Sequence, residues 1–467
     1  MFLKKQIAGG LMVYTVIRVF SYFFSPSTPL YTANPVNWII SASILMAAIY
    51  FLLKKDIRGW YIIAAELTLG GAGSFLEIGG VALRTILLIT AMSIFFFHIT
   101  KEKNYKTIFE HTVLPPIFIG LFAIIITSAL HGYTQGNSLT LIVADIIPYF
   151  FFLYYFPLSQ LLPSEQFRQT IFSMILSAII GNFIFIYITL IGFSNKLFVL
   201  QGSYYHWFRD VASGKITEYG FNFYRIVLNE HLLLIPLSIY IISCIIANKK
   251  NSTPTNFITI SALLAILAVN LTRIYILALG VGLLFLFFKQ NWKRWLLVSV
   301  AVITGFVLIF TGAHLIASRG KNIGWEFFGL RLQSITAPQT EESSLSRMLL
   351  LPKILEKIKN HPLLGNGLGD TVTVFSPVFK QNITTPHFDW GYLEIWAETG
   401  FIGLLAWCML ILHALKNTTR VYGYSAILLT LLIINLTSPG LFHVMGVLLI
   451  AVLLATKPTA TPPSIQA

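Results

Sequence analysis

A helix that crosses a bilayer needs about 20 consecutive, mainly apolar residues, and this chain presents such stretches again and again. They fall near 7–24, 36–53, 60–79, 83–99, 113–131, 139–158, 170–193 and 231–247. Residues 257–288 have room for two short spans with Arg273 between them, and 295–312, 391–413, 424–438 and 440–456 follow. The pattern predicts an all-α, polytopic membrane protein of about 12–14 transmembrane helices. The pairs within 60–99 and 257–288 are candidates for broken or re-entrant helices, which membranes tolerate only where protein covers the backbone. Composition agrees: of 467 residues, 56% are apolar and 11% charged, with a mean hydropathy of +0.76. A soluble domain carries about a quarter of its residues charged. This chain cannot cover itself for water.

The net charge of +14 comes from 32 Lys and Arg against 18 Asp and Glu. The bases sit in short clusters between apolar runs, which is how a membrane protein sets its orientation and argues against a nucleic-acid partner. Lys4-Lys5, Lys54-Lys55-Arg58, Lys101-Lys103-Lys106, Arg168, Lys249-Lys250, Lys289-Lys293-Arg294, Lys416-Arg420 and Lys457 occupy one set of connections. The alternate set includes 25–35 and 132–138, which hold no Lys or Arg. The positive-inside rule puts the first set and both termini in the cytoplasm. The apolar run after Lys5 lacks a small-residue cleavage site, so the first span is expected to stay as an anchor. Cys244 and Cys408 lie inside apolar stretches, which excludes a disulfide framework or a CxxC metal site.

Four regions follow: helices with an outer loop at 194–230 over 1–312, a large outer loop at 313–390, C-terminal helices over 391–456, and a short cytoplasmic tail at 457–467. Long outer loops tend to carry function. The second is expected to be partly helical. Ser346-Arg347 opens a stretch whose Leu351, Ile354, Leu355 and Ile358 recur at helical spacing. It ends at Asn360-His361-Pro362 and turns through Gly365-Asn366-Gly367-Leu368-Gly369.

Both outer loops are rich in cations, including Lys196, Arg209, Lys215 and Arg225 in the first and Arg319, Lys321, Arg331, Arg347, Lys353, Lys357, Lys359 and Lys380 in the second. For a single lysine this is as readily a solvated surface as a site. Arg225 and Arg273 differ, because each adjoins an apolar run, where arginine usually faces a cavity or a partner. A guanidinium fork suits phosphate or pyrophosphate better than a lysine does. His387 and Asp389 precede the span at 391–413 and so sit at the outer membrane boundary. A histidine there can act as a general base, since its pKa lies close to working pH; alone, it is more often a hydrogen-bonded surface residue. Glu394 and Glu398 share a helix face one turn apart. They either orient His387 or pair with loop arginines, or simply sit favourably at a helix N-terminus.

Glu66, Glu77, Asp145 and His98 lie within apolar runs and are read as interhelical hydrogen-bonding groups, although a proton-coupled transporter would use such residues too. No Walker lysine motif, HExxH motif or Cys/His metal cluster occurs, so no cofactor or metal is expected. The glycine-rich turn lacks a Rossmann context and is a weak phosphate signal.

Three pieces resemble the O-antigen ligase and O-antigen polymerase family of bacterial envelope proteins. Leu271-Thr272-Arg273 before Ile274-Tyr275-Ile276-Leu277-Ala278 resembles its Ser-Arg-then-apolar signature. Arg347 with Pro362-Leu363-Leu364-Gly365-Asn366-Gly367-Leu368-Gly369 is similar to its Arg…Pro-Leu-Leu-Gly-x-Gly-x-Gly stretch, and Tyr392 to Gly403 to its Tyr-Leu-x-x-x-x-Glu-x-Gly-x-x-Gly helix start. The family usually has His-Asn where this chain has Asp389-Trp390, and the nearest histidine is His387. The base role therefore stays open between His387 and Asp389.

The resemblance implies a metal-independent membrane glycosyltransferase of the bacterial inner membrane. Its donor is a glycan on undecaprenyl pyrophosphate, its acceptor a glycolipid or glycan, and its active site periplasmic. Arg273 and Arg347, assisted by Arg225, hold the pyrophosphate, while Glu394 and Glu398 support the site. The rival reading is a multi-span transporter or flippase of a lipid-linked sugar or small anion, which needs cations lining a path rather than gathered on one side.

Overall fold

The computed structural model describes residues 2–25, 35–103, 115–247, 254–288, 291–337, 342–376, 380–418 and 423–456. The tail at 457–467 and the bases Lys106, Lys249, Lys250, Lys289 and Arg420 lie outside them. The fold is helical throughout, as the apolar periodicity predicts. Among the described residues nine helices are long and apolar enough to cross a membrane, and four shorter apolar ones accompany them, Pro254–Asn270, Arg273–Phe287, Tyr424–Ile434 and Val444–Ala455. Apolar side chains such as Met12, Ile89, Ile119 and Leu297 stay outward-facing, which suits a protein solvated by lipid.

Helix α1 (Phe2–Phe24) lies along the 30-residue α8 (Glu165–Ser194). Gly10 faces Ser177 and Gly181 faces the Tyr14 ring, so small residues let the backbones approach. The expected span at 60–79 is corrected: α3 (Arg58–Thr68) stops early, and an irregular segment leads into a short hairpin, Glu77–Ile78 with Val81–Ala82. Gly70, Gly71 and Gly73 break the helix there, Gly71 with a φ of +65°. Side chains satisfy the freed backbone. Arg18 donates to Leu69 O at 2.6 Å, Arg84 to Gly71 O and Gly73 O at 3.0 and 2.7 Å, and Asn37 to Phe75 O at 3.0 Å. Two of the intramembrane ionisable groups are likewise engaged in the structure: His98 contacts Leu52 O at 3.1 Å, and Glu66 lies near Arg84 and Arg18.

Helix α5 (Pro115–Thr134) is followed by α6 (Leu139–Phe150), which contains Pro148, a 3-10 turn (Phe151–Tyr154) and α7 (Tyr155–Leu161). The region 194–230 forms α9 (Ser203–Asp210) and a hairpin of β3 (Gly214–Glu218) with β4 (Tyr224–Leu228), in which Thr217 pairs Arg225. Trp207, Phe208 and Phe223 root this hairpin in an aromatic core. After α10 (Leu234–Ala247) come α11 (Pro254–Asn270), α12 (Arg273–Phe287) and α13 (Trp292–Ala317). The region 313–390 holds α14 (Trp325–Thr336), α15 (Glu342–Asn360) and a hairpin of β5 (Val372–Ser376) with β6 (Gln381–Thr385).

The buried stripe of α15 is Leu350, Ile354 and Ile358, packed against Val372, Phe388 and Ala397. That corrects the stripe read from sequence: Leu355 is 48% exposed, because the inward face follows the i, i+4 row of Leu350, Ile354 and Ile358. Helix α16 (Gly391–Thr418) packs on both α5 and α15, and α17 (Tyr424–Ile434) and α18 (Val444–Ala455) complete the chain.

Candidate functional site

The site begins at a break of two residues between α11 and α12. Leu271 has a φ of +48°, a left-handed conformation that stops the helix and frees its backbone groups. Asn270, fully buried, organises the turn: its Oδ1 accepts from the Thr272 amide at 3.1 Å and from the Thr272 hydroxyl. Its Nδ2 donates to His231 Nδ1 at 2.6 Å. The break then holds cations. Arg225, arriving from β4, donates to Asn270 O at 2.7 Å and to Thr272 Oγ1 at 2.9 Å. Arg331 from α14 donates to Leu271 O at 3.1 Å. Arg273 opens α12 and reaches Ser344 Oγ on α15 at 2.6 Å.

Arg347, one turn further along α15, is close enough to repel Arg225, Arg273 and Arg331. Tyr219 stands among them, with the Arg331 guanidinium 5.4 Å from its ring centroid. Burial, opposed by Tyr219 and reinforced by the repulsion of Arg347, leaves the Arg225 pKa below the usual arginine range. Guanidinium forks gathered this way have the chemistry to hold a multivalent anion.

A second group adjoins the first through Asp389. Its Oδ2 lies 3.8 Å from Arg347 Nε, a nitrogen with no hydrogen-bond partner among the described residues. Trp390 Nε1 donates to Arg347 O at 3.1 Å and ties the loop to α15. His387, two residues before Asp389, keeps 65% of its side chain exposed while Nδ1 lies 3.6 Å from Glu394 Oε1. Glu394 is 2% exposed, and its Oε2 accepts the Phe388 amide at 3.0 Å. Its carboxylate raises the His387 pKa, opposed by partial burial and aided by Asp145 and Asp389.

The remaining carboxylates do different work. Glu398 sits away from His387 and meets Asp145 of α6, whose Oδ2 accepts the Gly369 amide at 2.8 Å. Lys357 binds Asp370 at 2.7 Å and pins α15 to the glycine-rich turn. That turn is a clamp, not a phosphate cradle, because its amides are committed. Asn366 and Gly367 donate to Ala397 O and Glu398 O at 2.7 and 3.0 Å, and Leu368 donates to Ser128 O at 3.1 Å. A Cβ on Gly367 would stand 2.1 Å from the Gly132 nitrogen, so only glycine lets α5 approach.

The geometry therefore gathers Arg225, Arg273 and Arg347, and sets His387 and Asp389 beside them. Residues 258–408 match the family model described as O-antigen ligase. The match lies in the second half of the chain. Together with the long apolar helices, that match supports a membrane protein of the glycan ligase or polymerase kind. No protein of curated function matches the chain. The matched stretch contains Arg273, Arg331, Arg347, His387, Asp389, Glu394 and Glu398, whereas Arg225 and Asp145 come from the chain before it. Among the described residues no group of three His, Cys, Asp or Glu is placed to hold a metal ion.

Sequence reasoning missed Arg331, which it counted only among the loop cations, and it read Asp145 as an interhelical hydrogen-bonding group without naming Glu398 as its partner. Asn270 carried no signal either. Their roles depend on which segments meet, and only the unusual neighbourhood of Asn270 with Thr272 and Arg273 hints at a helix break.

Proposed function

We propose that the protein is a membrane glycosyltransferase that moves a glycan from undecaprenyl pyrophosphate, presented at the outer leaflet, onto an acceptor hydroxyl. The observation that carries this reading is the meeting of Arg225, Arg273 and Arg347 beside the His387–Glu394 pair. Pyrophosphate is a good leaving group, so the protein must chiefly hold it and stabilise its charge, which arginine forks do. As the acceptor oxygen bonds to the anomeric carbon, the bond from that carbon to pyrophosphate breaks and the electron pair leaves with the phosphate. His387 takes the acceptor proton, and Glu394 orients the ring and stabilises the cation that forms. Asp389 faces the Arg347 guanidinium at 3.8 Å, whereas His387 is backed by Glu394 with 65% of its side chain exposed, which supports His387 as the base.

Ligase and polymerase differ only in acceptor: a core glycolipid in one case, another lipid-linked repeat in the other. The positive-inside pattern supports cytoplasmic termini and a periplasmic site. A flippase would line a through-path with cations; here the arginines converge on one turn, and Glu66 serves the N-terminal helix packing.

The test is a gel of surface polysaccharide from a deletion strain complemented with wild type or with Arg273→Ala, Arg347→Ala or His387→Ala, each at normal membrane abundance. Wild type restores long or core-attached glycan and the variants do not. In the deletion strain, core bearing a single repeat indicates a polymerase, and unattached long chains indicate a ligase. Full complementation by all three variants would overturn the assigned site.

A further inference from the structure

Within this transferase reading, we propose that Arg331 is a further catalytic residue, one that contacts the pyrophosphate and stabilises the negative charge gained by its leaving oxygen. Three observations place it there. Arg331 donates to Leu271 O in the same break that holds Arg225 and starts the Arg273 helix. Its guanidinium stands over Tyr219, which also lies near Arg225 and Arg273. It is repelled by Arg225, Arg273 and Arg347, so the four cations lie close together.

Arg331 is the deepest of the four, with 6% of its surface exposed. Burial first, and Arg225 second, hold its pKa below the usual arginine range. A guanidinium so placed attracts an anion strongly, because little solvent screens the pair. The reaction supplies such a charge. Cleavage of the bond from the anomeric carbon leaves its electron pair on the phosphate oxygen, while the acceptor proton goes to His387. The donor pyrophosphate, a diester, becomes a monoester with one more negative charge. A contact that strengthens as that charge develops accelerates the step, whereas one equally strong throughout only tightens binding.

Arg331→Gln keeps a donor for Leu271 O and most of the packing on Tyr219, but removes the charge. Arg331→Lys keeps the charge without the fork. The full-length protein is reconstituted in lipid vesicles with the undecaprenyl-pyrophosphate glycan fraction of its own strain, and inorganic pyrophosphate serves as the product-like probe. Arg331→Gln is expected to lower kcat by about 100-fold or more, the loss typical of one oxyanion donor, with the donor KM moved about threefold or less. Pyrophosphate inhibition weakens by about tenfold in Arg331→Gln, and less in Arg331→Lys.

A purely structural Arg331 would give both variants the same loss of thermal stability with unchanged kcat and inhibition per folded molecule, and that result sinks the proposal. If Arg273→Ala abolishes transfer while Arg331→Gln turns over at the wild-type rate, the transferase reading stands and the Arg331 role falls. If Arg273→Ala transfers normally and pyrophosphate does not inhibit the wild type, both fall.

Discussion

Gly400 interrupts α16 with φ 70° and ψ −176°, a conformation open in practice only to glycine. The kink turns the first part of α16, which carries Glu394 and Glu398, onto the segment before the glycine clamp. Phe401 N donates to Pro362 O at 2.9 Å and Ile402 N to Leu363 O at 3.3 Å. A Cβ at position 400 would stand 2.0 Å from Leu363 O and 2.5 Å from the Leu364 nitrogen, both backbone atoms that no rotamer change can move. Gly400→Ala therefore adds roughly 1–3 kcal/mol of backbone strain and weakens two hydrogen bonds worth about 1 kcal/mol each. A loss of roughly 3–5 kcal/mol is expected.

Gly280→Ala is the matched control. It lies within α12, and a Cβ there meets nothing within 4 Å. Alanine at a helical position is neutral or stabilising by up to about 1 kcal/mol. Thermal unfolding of both variants in the same detergent is the assay, with transfer activity as a second readout. Gly400→Ala is expected to melt several degrees lower, roughly, and to lose activity through displaced Glu394. Equal midpoints for the two variants would refute the steric account of the kink.

Glu394→Gln removes the charge that raises the His387 pKa, so the neutral, base-competent imidazole persists to lower pH. The acidic limb of the kcat/KM profile should shift downward, while the plateau falls because the orienting carboxylate is gone; an unmoved limb would remove His387 as the base. Asp389→Asn is expected to keep transfer within about tenfold of wild type and to alter chiefly the donor KM, since it releases Arg347. Loss of all transfer in Asp389→Asn, with His387→Ala active, would exchange the two roles.

Much of the membrane architecture is legible in local composition. Apolar runs of bilayer length must become helices because lipid offers no hydrogen bonds to the backbone, and α1, α2 (Pro35–Leu53), α8 and α13 follow that rule directly. The failure at 60–79 has a local cause too, since Gly70, Gly71 and Gly73 stop a helix that hydropathy alone would continue. Arg273, Arg347, Glu394 and Gly400 stand at motif spacings that could be recognised one segment at a time.

What spacing could not express is which side chains meet. Arg225 and Arg331 reach the 270–272 break from a hairpin and a helix separated from it by 45 and 60 residues of chain. The amides of the glycine turn could have served a phosphate, but the packing of α5 and α16 commits them to carbonyls. Glu394 and Glu398 look equivalent on a helical wheel, yet one pairs with His387 and the other hydrogen-bonds Asp145 of α6. Local sequence sets what each segment can bury or break. Which groups share a charge, a proton or an anion depends on Coulomb and hydrogen-bond contacts between distant segments, and only their packing decides those.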